Sequence, residues 1–261
     1  MSSVLEHGIP FELGNGRFTL GGVLGVGGVG TVYRARDRLR AADRAVKILA
    51  ATAVGTVLER RFLREAVALQ SVHHPNVVRV HTMGRDEPFV WIAMELVDGP
   101  TAHQRLRSEG ALPLSECVRI VAGLLAGLEA VHQLGWVHRD VKPGNVLLGA
   151  DGAVKLSDFG VVRDDDSDIT NPGVSLGTSA FMSPEQMDDP TLVTPRSDLY
   201  SVGATLFALA TGRPPRGLDG EGLDLAPPAV RPVIARAIAP DPADRYATAA
   251  DMARALVALR R

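Results

Sequence analysis

Two kinds of hydrophobic pattern divide the chain into two parts. Up to about Val97, short runs rich in β-branched residues are interrupted by glycine, which is typical of strands. The strands predicted in this part are Phe18–Leu24, Thr31–Arg36, Arg44–Leu49, Val77–Met83 and Phe89–Leu96. One stretch, Leu58–Ser71, instead spaces Phe62, Ala66 and Leu69 as the buried face of an amphipathic helix does.

The second part has the pattern of a helical domain. The predicted helices are Val118–Gln133, Asp198–Thr211 and Ala247–Leu259, and the short strands between them are Asn145–Leu148 and Val154–Leu156. The first two helices are apolar enough to be buried, and the third is amphipathic. We therefore expect an α+β protein with two domains, residues 1–97 and residues 98–261, joined near Glu95–Gly99.

Composition narrows the classes of function. The 261 residues are 46% hydrophobic and 22% charged, with a net charge of −2, so we expect a folded chain without the basic excess that nucleic acid requires. The apolar runs are too short or too charged for a membrane span. Cys117 is the sole cysteine, which excludes an intramolecular disulfide. Since Met1–Pro10 lacks the apolar region of a secretory signal, we expect a cytoplasmic protein.

Residues 25–30 form a G-x-G-x-x-G motif, whose members are Gly25, Val26, Gly27, Gly28, Val29 and Gly30. A dinucleotide fold would open a helix after the last glycine, but Thr31 begins a β-branched run that favours a strand. A Walker-type phosphate loop would end in a lysine that is missing here. The motif leaves two interpretations: a hairpin that folds over a nucleotide, with Val32 against an adenine, or a glycine-rich hairpin without a ligand.

Lys47 lies in the middle of an apolar strand. Because an unpaired buried ammonium group is costly, Lys47 should face a cleft, a phosphate or a carboxylate. Glu65, on the only helix predicted in this domain, is the candidate carboxylate, although a solvated helix face explains it equally well. The order of glycine loop, lysine strand and glutamate helix resembles the small lobe of the protein kinases.

Two motifs of the helical domain extend this resemblance. Val137–Asn145 matches the H-R-D-x-x-x-x-N catalytic loop of the protein kinases, and Ser157–Gly160 matches their D-F-G motif. The resemblance implies a bilobal protein-kinase-like fold, with a nucleotide cleft between a small β-rich lobe and a larger helical lobe. It also implies ATP as the phosphoryl donor and Mg²⁺ as the metal ion, with Mn²⁺ as a substitute.

The resemblance gives each polar residue of these motifs a role. Asp140 would orient the substrate hydroxyl and accept its proton, and Lys142 would neutralise the γ-phosphate. Asn145 and Asp158 would hold the metal ion, which prefers oxygen ligands. The lysine and the glutamate of the small lobe complete the catalytic set.

The same resemblance places the adenine ring. The backbone of Glu95 and Val97 would bind the edge of the ring, with Met94 at the back of the pocket. The side chains that would cover the two faces of the ring are Val32, Ala45 and Leu147.

Further matches indicate a protein substrate. Ser183–Glu185 stands where the family has A-P-E, and Arg245 resembles the structural partner of its glutamate. Asp198 resembles the buried aspartate that braces the catalytic loop. Asp140–Pro143 together with Thr178 is similar to the Hanks-type serine/threonine kinases of bacteria rather than to tyrosine kinases. The expected acceptor is therefore a Ser or Thr hydroxyl of a protein.

Arg139 suggests how the activity is regulated. A guanidinium directly before the catalytic aspartate favours an anionic partner. A phosphate on Thr170, Ser167 or Ser175 would supply that partner and order residues 164–177. A flexible loop with incidental hydroxyls is the alternative. The family resemblance also suggests a homodimer that pairs through the small lobe.

Other functions fit the sequence less well. A pseudokinase that binds nucleotide without turnover would usually lack one of the five key polar residues, all present here. A small-molecule kinase would lack the features at Ser183–Glu185, Asp198 and Arg245, and a Rossmann oxidoreductase would need a helix after Gly30. The segment between residues 213 and 243 is shorter than in the family and contains a predicted loop, Gly217–Pro228, so substrate docking is left open. No sensor domain or membrane anchor is expected after the last helix.

Overall fold

The computed structural model describes residues 11–27, 30–158, 179–215 and 222–258, without the side chains of Ala51, Arg61, Glu65 and Ala68. The chain divides into two compact units, Met1–His73 with Val78–Val97, and His74–Val77 with Asp98–Arg261. This division departs from the predicted boundaries at residues 74–77. The reason is Asn76, whose Nδ2 donates to Val154 O at 2.8 Å and whose O accepts from Leu156 N at 2.9 Å.

The first unit is built on one antiparallel sheet of six strands. They are β1 Glu12–Leu13, β2 Phe18–Val26, β3 Gly30–Asp37, β4 Ala42–Leu49, β5 Val80–Asp86 and β6 Phe89–Glu95, in the order β1-β2-β3-β4-β6-β5. Its core includes Phe18 and Trp91, whose rings meet edge to face with centroids 5.2 Å apart, a favourable aromatic geometry. Helix α1, Val57–Ser71, begins at Thr56, whose Oγ1 accepts from Leu58 N at 3.1 Å and so caps the helix.

The second unit is mainly helical. Its helices are α2 Ala102–Glu109, α3 Leu114–Gln133, α4 Pro184–Asp188, α5 Pro195–Thr211, α6 Arg231–Ala237 and α7 Ala249–Ala258, and its two strands are β7 Val146–Leu148 and β8 Val154–Leu156. Helix α3 packs against α5, α7 and β8. Its Cys117 is fully buried, and burial raises the pKa of this thiol to about 11, so Cys117 serves the core as a small apolar side chain.

The α+β class and most of the predicted elements are confirmed, while β5 lies three residues further along the chain than expected. Val77 leaves the first sheet and forms a bridge to Leu156 of β8. Helices α2, α4 and α6 were not predicted, and α6 forms within the segment between residues 213 and 243. Among the helices that the structure describes, none has the length and hydropathy needed to cross a membrane.

Candidate active site

One buried carboxylate, that of Asp198, holds the loop that carries the candidate catalytic residues. Its Oδ2 accepts from His138 N at 2.8 Å, and its Oδ1 accepts from Arg139 N at 2.8 Å. His132, in the last turn of α3, bonds to the same Oδ2 through Nε2 at 2.7 Å. Asp198 is 1% exposed, so these donors replace the water that the carboxylate loses on folding. The contacts tie α3, α5 and the loop together, as the resemblance to kinases implied.

His138 fixes the same loop from the inside. It is fully buried, and its Nδ1 accepts from Asp140 N at 3.2 Å. The proton is therefore on Nε2, which donates to Ser157 O at 3.1 Å. Burial lowers the pKa of His138, which keeps the imidazole neutral at pH 7. A neutral ring in this tautomer can both accept from the loop and donate to the end of β8.

Asp140, Lys142 and Asn145 form a tight polar cluster. Lys142 Nζ donates to Asp140 Oδ1 at 3.0 Å and to Oδ2 at 2.8 Å. Asn145 Nδ2 donates to Asp140 O and to Asp140 Oδ2, both at 2.8 Å. The Asp140 side chain is 20% exposed, so its carboxylate is held in one orientation but can still be reached from solvent.

Asp158 lies next to this cluster. Ser157 N donates to Asn145 O at 2.9 Å, and Asn145 Nδ2 lies 3.4 Å from Asp158 O. The φ angle of Asp158 is 52°, in the left-handed region that few non-glycine residues adopt. The structure thus brings together four of the predicted site residues, Asp140, Lys142, Asn145 and Asp158. The paired strands β7 and β8 lead the chain from Asn145 back to Asp158. The rest of the D-F-G motif, Phe159 and Gly160, lies outside the described residues.

The oxygen atoms of this cluster are of the kind that a hard divalent cation prefers. The amide nitrogen of Asn145 donates to Asp140, so its Oδ1 is left as an acceptor. No group of three or more His, Cys, Asp or Glu side chains that could hold a metal ion is found in the described part of the chain. Mg²⁺ commonly takes one or two protein carboxylates and completes its shell with substrate phosphates and water.

Helix α4 holds the catalytic loop from a further side. Gln186 is 4% exposed, and its Nε2 donates to Arg139 O at 2.7 Å. The neighbouring Glu185 accepts from Arg245 and from Ser197 Oγ. The sequence motifs indicated Glu185 and Arg245 but gave no signal for Gln186 or His132, because both act only through backbone or buried atoms of distant segments.

In the first unit, Lys47 lies on β4 and faces α1. Its Nζ is 5.9 Å from the centre of the Phe62 ring, within the range of a cation–π contact. Glu65 follows Phe62 by three residues and so belongs to the same side of the helix. The Glu65 side chain lies outside the described residues, and the ion pair between Lys47 and Glu65 stays a prediction.

The predicted adenine residues of this unit share the face of the sheet that carries Lys47. Val32 is paired with Lys47 across β3 and β4, and Ala45 is paired with Met94 across β4 and β6. Paired residues and residues two apart on a strand point to the same side. Val32, Ala45, Lys47 and Met94 therefore form one continuous surface.

The other predicted adenine contacts lie at the end of β6, just after it and on β7. Glu95 N donates to Arg79 O at 2.8 Å, and the backbone of Val97 forms no hydrogen bond with any residue that the structure describes. Leu147 is half-buried on β7 of the second unit. Because these residues belong to different units, their meeting at one ring stays a prediction.

The glycine motif forms a hairpin. Gly27 N donates to Gly30 O at 2.9 Å, and Gly30 N donates back to Gly27 O at 3.3 Å. Gly28 and Val29, between them, lie outside the described residues. A Cβ atom on Gly30 would lie 2.1 Å from Ile48 O, so glycine allows β3 to approach β4. Since Gly30 begins a strand and not a helix, the dinucleotide-fold alternative is wrong.

Comparison with known proteins gives a consistent result. Residues 18–224 match the model of the protein kinase domain. The chain is 37% identical to the serine/threonine-protein kinase PknB of Mycobacterium leprae, over 92% of this chain and 42% of the relative. It is 37% identical to PknL of Mycobacterium bovis, over 93% and 65%, and 36% identical to a probable PknB of Bifidobacterium longum, over 95% and 40%.

The chain spans between 40% and 65% of the length of these curated relatives. The matched region contains the glycine hairpin, the lysine strand, the catalytic loop and Asp158. The α+β architecture, with one β-rich unit and one helical unit, agrees with that of a protein kinase domain. The chain therefore belongs to the protein kinase domain family, and within it to the Hanks type of bacterial serine/threonine-protein kinases.

Proposed function

We propose that the chain transfers the γ-phosphoryl group of ATP to Ser and Thr hydroxyls of proteins. The observation that carries the proposal is that Lys142 and Asn145 both donate hydrogen bonds to the Asp140 carboxylate and hold it in one orientation. Protein kinases use ATP with divalent metal ions, and phosphoryl transfer depends on positioning and charge neutralisation more than on covalent chemistry. Relatives whose names specify serine/threonine kinases support the choice of acceptor.

Asp140 acts on the hydroxyl of the substrate in this proposal. Its carboxylate accepts the hydrogen bond of the hydroxyl, directs the oxygen at the γ-phosphorus and takes the proton. The new bond forms between that oxygen and phosphorus, and the bond from phosphorus to the bridging oxygen breaks to leave ADP. The Lys142 ammonium, 2.8 Å from Asp140 Oδ2, supplies positive charge where the transferred phosphoryl group passes.

Asn145 Oδ1 and the Asp158 carboxylate are the proposed metal ligands, and Mg²⁺ is the proposed ion, with Mn²⁺ as a substitute. When bound, the ion neutralises the charge of the ATP phosphates. The part of the chain in this step is to keep Asn145 Oδ1 available as an acceptor. Asn145 does so by directing its amide protons at Asp140.

Residues of the first unit are proposed to bind the nucleotide. Lys47 and Glu65 form the ion pair that orients the phosphates, and the hairpin Gly25–Gly30 covers them. The adenine contacts in this proposal are Val32, Ala45, Met94, Glu95 and Val97, together with Leu147 of the second unit. The shared face of Val32, Ala45, Lys47 and Met94 supports this assignment.

One assay tests the proposal directly. The chain is incubated with radiolabelled ATP, Mg²⁺ and a generic basic protein, and label incorporation is compared with that of Asp140→Asn and Lys47→Met. Removing a positioned acid/base group should lower the rate about 10²–10⁴-fold. The control is Asp151→Asn, which changes an exposed aspartate of a turn. Incorporation that survives equally in all three variants contradicts the proposed roles. ATP binding without any turnover in the unaltered chain indicates a pseudokinase.

Autophosphorylation of Thr170, Ser167 or Ser175 is proposed as the activating step. These residues lie outside the described part of the chain, and the support comes from Arg139. Its position directly before Asp140 places a cation where a phosphate could act on the catalytic loop. Mass spectrometry of ATP-treated protein should find phosphate between residues 164 and 177. A fully active sample without modification there contradicts the idea.

We also infer a cytoplasmic location and a homodimer that pairs through the first unit. The single buried cysteine supports the first inference, because it leaves the fold independent of an oxidising compartment. Sedimentation of the chain across a range of concentrations tests the second. A monomer at every concentration contradicts it.

A further inference from the structure

The first unit contains a cavity of about 510 Å³ that shares no residue with the proposed nucleotide site. Its lining includes four arginines and one carboxylate: Arg17, Arg40, Arg44, Arg79 and Asp37. The volume falls within the range of small-molecule sites, but such sites are usually lined by apolar side chains. A lining dominated by guanidinium groups indicates an anionic ligand instead.

The single carboxylate in the lining is already neutralised. Arg17 donates to Asp37 through Nε at 3.0 Å and through Nη2 at 2.8 Å. The backbone N–H groups of Leu39 and Arg40 donate to Asp37 Oδ1 as well. The hydrogen bond from Arg17 lowers the pKa of Asp37, so the carboxylate stays ionised. Its charge is balanced by Arg17 and does not compensate the other three arginines.

Those three guanidinium groups have few partners. Arg40 and Arg79 form no ion pair with the residues that the structure describes. Arg44 donates through Nη1 to Asp43 O at 3.0 Å, and its Nε is buried without a partner among the described residues. Glu95 is a second carboxylate nearby, and its Oε2 accepts from Arg79 N at 3.3 Å. Even when Glu95 is counted, cationic side chains outnumber carboxylates.

His81, which also lines the cavity, responds to this excess of positive charge. Burial lowers the pKa of His81, and the charges of Arg44 and Arg79 lower it further. Glu95 and Asp37 act in the opposite direction and do not reverse the shift. The potential on this side of the first unit is therefore positive, which attracts anions.

We propose that this cavity binds a phosphate group with two negative charges, as free inorganic phosphate or as the phosphate of a modified side chain. Guanidinium groups bind phosphate oxygens through paired N–H donors, and several of them together give both affinity and orientation. The buried Nε of Arg44 would gain the acceptor that it lacks. The proposal does not depend on the kinase activity, since none of the residues that line the cavity is a catalytic or nucleotide residue of the proposed function.

Titration calorimetry of the whole chain with inorganic phosphate tests the proposal, with the ionic strength held constant by KCl. Arg40→Gln and Arg79→Gln each remove an exposed guanidinium without breaking an ion pair of the described structure. The matched control is Arg60→Gln, an exposed arginine of α1 outside the cavity. All titrations use a Lys47→Met background, which weakens phosphate binding by the nucleotide residues.

We expect one phosphate site whose affinity falls about tenfold or more in Arg40→Gln and in Arg79→Gln, because each loses a charge-assisted hydrogen bond. The affinity of Arg60→Gln should equal that of the background. No heat above that of KCl, or equal affinity in all the variants, overturns the proposal.

A second series separates the two sources of phosphate, using a phosphothreonine peptide and the same peptide without phosphate. Tighter binding of the phosphopeptide than of inorganic phosphate identifies a modified protein as the ligand. Equal binding of the phosphopeptide and of inorganic phosphate identifies the free anion as the ligand. The unmodified peptide is the control for the phosphopeptide, and equal binding of the two peptides excludes the phosphate of a modified side chain as the ligand.

Discussion

Arg245 and Glu185 form a buried ion pair with two parallel hydrogen bonds, from Nη1 at 2.7 Å and from Nη2 at 2.8 Å. The other N–H groups of Arg245 donate to backbone oxygens: Nε to Ala239 at 2.7 Å, Nη1 to Arg196 at 3.2 Å and Nη2 to Pro240 at 2.9 Å. The arginine side chain is 0% exposed. The pair thus joins α4 to the segment between α6 and α7.

Replacing this arginine should greatly lower the free energy of unfolding of the second unit. Arg245→Met leaves Glu185 without its charge partner and three backbone oxygens without donors. Breaking a buried pair in this way typically costs about 3–5 kcal/mol. The measurement is the free energy of unfolding in urea at pH 7. The exposed Arg254→Met should change this free energy by less than about 1 kcal/mol, and a similar loss in both variants contradicts the prediction.

The same pair predicts a loss of stability in acid. Burial alone would raise the pKa of Glu185, but hydrogen bonds from Arg245 and Ser197 lower it to about 2 from the usual 4.5. A lowered folded-state pKa stabilises the fold above the unfolded value and loses this effect as the pH falls towards the folded value. The contribution of Glu185, about 2–3 kcal/mol, should therefore disappear between pH 4.5 and pH 2.

Urea unfolding across this pH range checks the prediction with Glu185→Gln, which has no carboxylate to titrate. The difference in the free energy of unfolding between the unaltered chain and Glu185→Gln should shrink as the pH falls. A difference that is constant from pH 5 to pH 2 would show that Glu185 titrates normally.

Asn145→Asp should be destabilising at neutral pH. The amide nitrogen of Asn145 lies 2.8 Å from Asp140 Oδ2, so the substitution places two carboxylates together. Like charges at this distance raise a carboxyl pKa, and a raised folded-state pKa lowers stability as the pH rises through it. We expect a loss of about 1–3 kcal/mol at pH 7 that is largely recovered near pH 4.

Asn145→Ala is the control for this prediction, because it removes the amide without adding a charge. Its loss of stability should be the same at pH 7 and near pH 4. Parallel pH dependence of the two variants in urea unfolding would rule out repulsion by Asp140.

Two glycines of the same hairpin should tolerate alanine differently. A Cβ on Gly30 would lie 2.1 Å from Ile48 O, whereas a Cβ on Gly25 would meet no atom within 4 Å. Overpacking of this kind typically costs about 1–3 kcal/mol. Thermal unfolding should show a clearly lower Tm for Gly30→Ala than for Gly25→Ala. Equal Tm values contradict the close approach of β3 and β4.

Most of the first sheet was predictable because local patterns and tertiary environment agree there. The runs around Val32 and Val46 alternate or cluster β-branched residues, and both lie in the centre of the sheet. β5 was misplaced because Val77 is as apolar as a strand residue but belongs to the second unit, where it pairs with Leu156. A pattern of hydrophobic residues does not reveal which of two cores a residue enters.

The missed helices have physical reasons too. Helix α2 is polar, with Ala102 as its only buried residue, so it has little hydrophobic periodicity. Its start was nevertheless visible, since Thr101 and Gln104 form a capping box, with Gln104 N donating to Thr101 Oγ1 at 3.1 Å. Helices α4 and α6 span five and seven residues, which is too short for a periodic signal.

The cluster of candidate catalytic residues could be predicted, but the residues that hold it in place could not. Asp140, Lys142 and Asn145 lie within six residues, so a local motif describes them. Gln186 of α4 donates to the loop at Arg139 O, and His132 of α3 bonds to Asp198, which in turn holds the loop. Such contacts depend on the packing of helices and leave no spacing rule in the sequence.

Arg139 carries a consequence for attempts to make the protein more heat-resistant. Its φ angle is 66°, and its amide and carbonyl are held by Asp198 and Gln186. Glycine adopts this conformation without strain, so Arg139→Gly would relieve the backbone at this position but would also remove the contacts of the arginine side chain. The same substitution would remove the guanidinium proposed to bind the activating phosphate, so a search for heat-resistant variants should leave Arg139 unchanged.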